Sequence, residues 1–166
     1  MNFTRQKIAL IALFMATVIL PEESKQKVNR SKKLQLEEAF QNYKSSLINY
    51  VELLGGGYYP KYNFSNEFAF VSYDTRFKDR LNKCADGNDE DCRKLVDTIV
   101  SLDKKIKEET KQRRRECSKY LDRWSWDRPF PCQDFIKEEG SGMYRSSYGK
   151  SFAEFKKVLE GGSTSL

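Results

Sequence analysis

CRKLVDTIVSLDKKIKEETKQRRRECSKYLDRW, residues 92–124, is the stretch that decides the fold class. Cys92, Leu95, Val96, Ile99, Leu102 and Ile106 recur in steps of three and four, and the same spacing runs on through Arg113, Cys117, Tyr120, Leu121 and Trp124. Side chains so spaced share one face of a helix. The seam is apolar to Ile106 and thins across Glu109 and Thr110. The spacing therefore predicts one long helix over about 90–126, with room for a break near 110, and places Trp124 in the core. Pro129 disfavours helical backbone at Arg128 and sets the latest stop.

Upstream, the loop 85–91 (ADGNDED) invites a calcium-site reading. An EF-hand begun at Asp86 would put Asp91 where glycine is needed and would lack the closing glutamate, so it is rejected. Asp89, Glu90 and Asp91 suit a helix N-terminus instead. Asp74 can cap a short helix that turns Phe77 and Leu81 inward. The stretch 58–73 is rich in rings, and Tyr62, Phe64, Phe68 and Phe70 share strand parity. With no second strand to pair, it is expected to be an irregular crossover packed on helices. Further back, Leu36, Phe40, Tyr43, Leu47, Val51 and Leu54 predict a helix over about 32–54, with Ser31 as its cap and Gly55-Gly56-Gly57 as its stop.

Downstream, 140–149 (GSGMYRSSYG) reads as a Gly/Ser-rich loop. Phe152, Phe155, Val158 and Leu159 then mark a last helix over about 151–160. The expected fold is mainly α: a small bundle of three to four helices, one of them long, with an aromatic-rich crossover and two disulfides.

Cys84, Cys92, Cys117 and Cys132 allow three pairings. Cys92 and Cys117 lie 25 residues apart on the long helix, roughly 37 Å at its rise, and a bridge needs Cα atoms within about 7 Å. Two pairings survive. The local one, Cys84–Cys92 with Cys117–Cys132, is preferred because the other would cross two bridges over one helix length. Zinc is disfavoured, since there is no C-x2-C spacing and no histidine.

Arg5 and Lys7 precede thirteen uncharged residues, Ile8 to Leu20. A basic start followed by a short apolar run is the pattern of a signal peptide, and the run is short of the roughly 20 residues of a bilayer span. No Ala-x-Ala cleavage site follows, so an uncleaved N-terminal anchor is the alternative. The expected plan is 1–24 signal peptide or anchor, 25–33 basic leader, 34–160 a single helical domain and 161–166 a flexible tail. An even cysteine count behind such a start points to an oxidising, extracellular or periplasmic compartment.

The chain carries 30 basic and 24 acidic residues, a net charge of +6, and no histidine. Without histidine the commonest general base and every Ser-His or Cys-His pair are missing. No phosphate-binding glycine loop occurs, and no pair among the acids stands out as a hydrolase couple. The expectation is a non-enzyme without cofactor or metal: a secreted binding protein of effector, ligand or inhibitor type. The alternatives are a membrane-anchored helical interaction protein, and a small-ligand carrier or polyanion binder. A carrier would need a cavity among Phe40, Phe64, Phe68, Phe70 and Ile99.

The partner is expected to be another protein, with an anionic surface or polyanion as the other possibility. The candidate surface comprises Arg113, Arg114, Arg115, Arg123, Trp126 and Arg128. Arg113-Arg114-Arg115 is the least compensated part of the basic stretch 104–128, and Trp126 beside arginines has the composition of a binding hot spot. Asn29 and Asn63 begin N-glycosylation sequons.

Overall fold

A computed structural model describes residues 22–55 and 65–161. Among them are six α-helices: α1 (Glu22–Leu53), α2 (Ser65–Tyr73), α3 (Thr75–Ala85), α4 (Asp89–Cys117), α5 (Phe130–Ser141) and α6 (Met143–Leu159). The fold is mainly helical with two disulfides, as expected, but with more helices than three or four. No helix among the described residues is long and apolar enough to cross a membrane. The apolar run at residues 8–20, the sequon asparagine Asn63 and Phe64 lie outside the described residues, as does the side chain of Asn29.

The core lies where α1 packs along α6, with α3 and α4 closing the remaining sides. All six apolar positions read from α1 are buried. Their rings form a continuous stack: Phe40 lies 5.1 Å from Phe77 and 5.5 Å from Phe155, and Tyr43 lies 5.3 Å from Phe155. Phe70 closes edge-on against Phe77 at 5.5 Å. Ile99 is fully buried. Of the residues named for a carrier cavity, Phe40 and Ile99 are buried in the core, while Phe68 and Phe70 are half-buried and Phe70 also borders an open cleft.

A polar layer crosses this core between α1, α4 and α6. The Tyr148 hydroxyl donates to Asp103 Oδ1 at 3.1 Å, and Lys107 Nζ lies 2.7 Å from Asp103 Oδ2. Tyr50 and Thr110 share a hydrogen bond at 3.2 Å, and Ser46 and Ser151 share a short one. Burial raises the pKa of Tyr43 and Tyr148 well above the ordinary tyrosine value. The Asp103 charge adds to the rise at Tyr43, and the neighbouring Tyr43 and then Asp103 add to it at Tyr148.

Local signals explain most boundaries. Asp74 accepts from Arg76 N at 2.8 Å and caps α3, whose Phe77 and Leu81 are buried as predicted. Asn88, not one of the three acids after it, caps α4 by accepting from Glu90 N and Asp91 N, both at 3.1 Å. The acids occupy the first turn, where the helix dipole favours them. Gly87 supplies the left-handed residue of that turn, at φ 97°. The bridges are Cys84–Cys92 and Cys117–Cys132, the local pairing.

Five expectations need correction. The leader 25–33 is helical, because α1 starts at Glu22: its Lys, Gln and Arg residues are good helix formers that need no apolar periodicity to continue the helix. Ser31 is therefore helix interior. Residues 65–73 form α2 and are not extended; it buries Val71 and Ser72 and leaves Phe68 and Phe70 half-buried on different sides. The long helix ends at Cys117 and not near 126, which leaves Trp124 exposed. Residues 130–141, left without an element by the sequence reading, form α5. The Gly/Ser-rich stretch 140–149 is helical except for the single left-handed residue Gly142, at φ 64°. Across that break the buried Glu138 accepts from Arg145 N at 3.0 Å, giving α6 the cap that its own sequence lacks.

Candidate interaction site

Between Cys117 and Cys132 the chain leaves α4, makes two 3-10 turns (Ser118–Tyr120 and Ser125–Asp127) and enters α5. The disulfide brings the two cysteine Cα atoms to 5.3 Å, so the segment between them must reverse as a knuckle. The backbone is tied internally, with Leu121 N bonded to Ser118 O, Arg123 N to Tyr120 O and Asp127 N to Trp124 O. Arg128 reaches back and donates to three carbonyls: Tyr120 O at 3.1 Å, Arg123 O at 2.9 Å and Leu121 O at 2.9 Å. Gln133 Nε2 in turn holds Arg128 O at 2.9 Å. A bridge at the base and a guanidinium bonded to three carbonyls fix the backbone of the turn.

The side chains it presents are large and apolar. Trp124 is 77% exposed and Trp126 is 78% exposed; Leu121 and Phe130 are exposed beside them in the sequence. They are the two tryptophans of the whole chain. Isolated exposed apolar residues are ordinary, whereas a large contiguous apolar patch is a candidate interaction site. Arg123 lies over the Tyr120 ring at 5.2 Å and pairs with Asp127 at 3.7 Å, while Lys119 lies 5.1 Å from the centre of the same ring.

The six predicted surface residues separate into different roles. Trp126 and Arg123 are on the knuckle and exposed. Arg128 is on it too, with its guanidinium spent on backbone carbonyls. Arg115 is exposed on the last turn of α4. Arg114 faces α5 and binds Glu139 at 2.6 and 3.1 Å; that hydrogen bond holds the Glu139 pKa below the ordinary value and raises that of Arg114. Arg113 is the correction. It is 4% exposed, donates to Leu54 O at 2.7 Å and meets Glu116 at 3.4 Å. It anchors the end of α1, so the Arg113-Arg114-Arg115 triplet is not one exposed basic cluster.

Sequence reasoning missed Trp124, Leu121 and Phe130 as surface residues. The available clue was the bridge itself: Cys117 and Cys132 can meet only if the chain turns soon after Cys117, which a helix running to 126 would prevent. Next to the knuckle, Phe130 also borders an open cleft of about 470 Å³ with Leu53, Met143, Tyr144, Glu52 and Asp134. Comparison with known proteins finds no matching family model, no matching curated protein and no matching solved structure.

Proposed function

We propose that this is an exported, non-catalytic binding protein whose recognition surface is the knuckle between Cys117 and Cys132. The observation that carries this reading is the near-complete exposure of Trp124 and Trp126 on a backbone closed by a disulfide and clamped by Arg128. Tryptophan is the residue type most enriched among binding hot spots. A backbone already ordered loses less freedom on association, which strengthens binding. Export is supported by the basic, then apolar N-terminus and by two bridges, a combination at home in oxidising compartments.

Two measurements test it. The first is the intact mass of the protein recovered from the medium of a secreting host. A mature start near residues 17–25 with both bridges formed is expected, whereas an intact, membrane-fractionating chain would instead support the anchored alternative. The second compares wild type with the Trp124→Ser/Trp126→Ser double variant for retention on the surfaces and in the fluids that the exported protein meets. Loss of retention with unchanged helix content is expected. Equal retention of the two proteins would overturn the assignment of the knuckle.

A further inference from the structure

We infer that the knuckle and the exposed face of α4 together dock on an anionic phospholipid surface. The inference rests on the reading of the knuckle as a binding surface and names the chemistry of what it meets.

The charge argument comes from α4. Lys107, Lys111 and Arg115 follow one another at intervals of four, and Lys104 stands seven before Lys111, so helical spacing puts these four on one face of α4, with Lys119 following in the 3-10 turn just beyond it. All five are exposed. The row from Lys107 to Arg115 is about 12 Å long, and α4 runs on from it into the knuckle. Glu108 is the only carboxylate that the same spacing puts on this face between Lys104 and Lys119. Asp103, which holds Lys107, is itself buried. The knuckle's own acids, Asp122 and Asp127, stand beside Arg123, and Asp127 is paired with it. The exposed face of α4 is thus strongly cationic in a chain already at +6.

The apolar side chains decide between anionic partners. A sulfated glycan or a nucleic acid strand could use the cations and stack on a tryptophan, but Leu121 and Phe130 offer it nothing. A bilayer's headgroup zone accommodates all four exposed side chains, and tryptophan is the residue that favours that depth. Basic residues alongside then meet the lipid phosphates and the negative surface potential. An apolar tip next to a basic row supplies two of the weak anchors that stable peripheral attachment combines.

Because both tryptophans of the chain sit on the knuckle, their fluorescence reports this surface alone and not the apolar run at residues 8–20. Full-length protein is titrated with vesicles of phosphatidylcholine, with and without phosphatidylserine, and with brominated phosphatidylserine vesicles. The expected result is a blue-shifted emission with the anionic vesicles, quenching by brominated lipid, and reversal by salt. Lys104→Gln/Lys111→Gln/Arg115→Gln should weaken the partition about 100-fold, at roughly fivefold for each base near a charged surface.

Co-sedimentation with vesicles without any change in emission would overturn the inference, because contact would then lie elsewhere in the chain. So would an emission response to heparin and none to vesicles. Either result leaves the knuckle a candidate surface for another partner. Tryptophans shielded from acrylamide in the free protein would overturn the binding-surface reading itself.

Discussion

Raising the pH should unfold this protein through its buried tyrosines. Tyr43 and Tyr148 are both enclosed between α1, α4 and α6, and the enclosure holds their hydroxyls protonated far above the usual range, with the Asp103 charge acting in the same sense. In the unfolded chain a tyrosine ionises near pH 10. Above that pH the unfolded state binds fewer protons than the native one, so stability is complete below about pH 10 and falls as pH rises. Each such tyrosine removes about 1.4 kcal/mol by pH 11 and about 2.7 kcal/mol by pH 12. The pair thus removes about 5 kcal/mol by pH 12, comparable to the whole stability of a marginal domain at about 5 kcal/mol. Tyr50 is shifted the same way, chiefly by burial, and steepens the loss.

Urea midpoints followed by far-ultraviolet circular dichroism from about pH 8 to about pH 12 measure the slope, and tyrosinate absorbance shows which rings ionise. Tyr43→Phe should remove close to half of the pair's loss. A midpoint that stays level above pH 10, or buried rings that ionise near pH 10 with the helices intact, would refute the reasoning.

Phe155→Ala should cost about 3–5 kcal/mol by urea denaturation, since its ring sits between Phe40 and Tyr43 with no exposure. The neighbouring arginines should separate sharply. Arg113→Ala loses a buried charged hydrogen bond to Leu54 O and should cost about 2–3 kcal/mol, whereas Arg114→Ala removes an exposed ion pair and should cost under about 1 kcal/mol. Equal losses would mean that Arg113 is not the anchor of α1. Cys117→Ser/Cys132→Ser should cost about 3 kcal/mol, the value for closing a loop of this length, while a melting experiment still shows a cooperative helical transition. A protein without helix would show that the bridge at the knuckle holds more than the knuckle.

What the sequence displayed were the elements whose own residues pay out their pattern locally. The α1 face from Leu36 to Leu54 repeats at helical spacing and stops at Gly55, which takes φ 83°. Asp74, Phe77 and Leu81 mark α3 in the same way, and helix length alone eliminated one cysteine pairing. The elements that escaped notice depend on partners distant in the chain. Among its described side chains α5 buries Cys132, Phe135 and Glu138, with Ile136 half-buried against the core, and Glu138 reads as solvated until Arg145 N is found against it. The start of α6 holds Gly149 and four serines and tyrosines that read as loop, yet Tyr148 is buried against Asp103 of α4.

The candidate site was half legible for a related reason. A seam of three-and-four spacing carries no information about where the helix stops, so Trp124 was placed inward by extrapolation. Trp126 lies out of phase with the seam, and its exposure follows from the knuckle that the bridge imposes. Arg113 lay on the seam all along, and its burial follows once a basic residue is allowed to bond the end of another helix.

The order in which the bridges link has a consequence for how the molecule is made. The first cysteine joins the second and the third joins the fourth, across 8 and 15 residues. Neither covalent ring encloses the other, and neither spans α1 or α6. Each ring can therefore close as soon as its second cysteine emerges from the ribosome or translocation channel, with no need for the later chain. A chain cut between Ser118 and Pro131 would keep its two pieces joined through Cys117 and Cys132. A chain cut between Leu54 and Ser65 would hold α1 by packing alone.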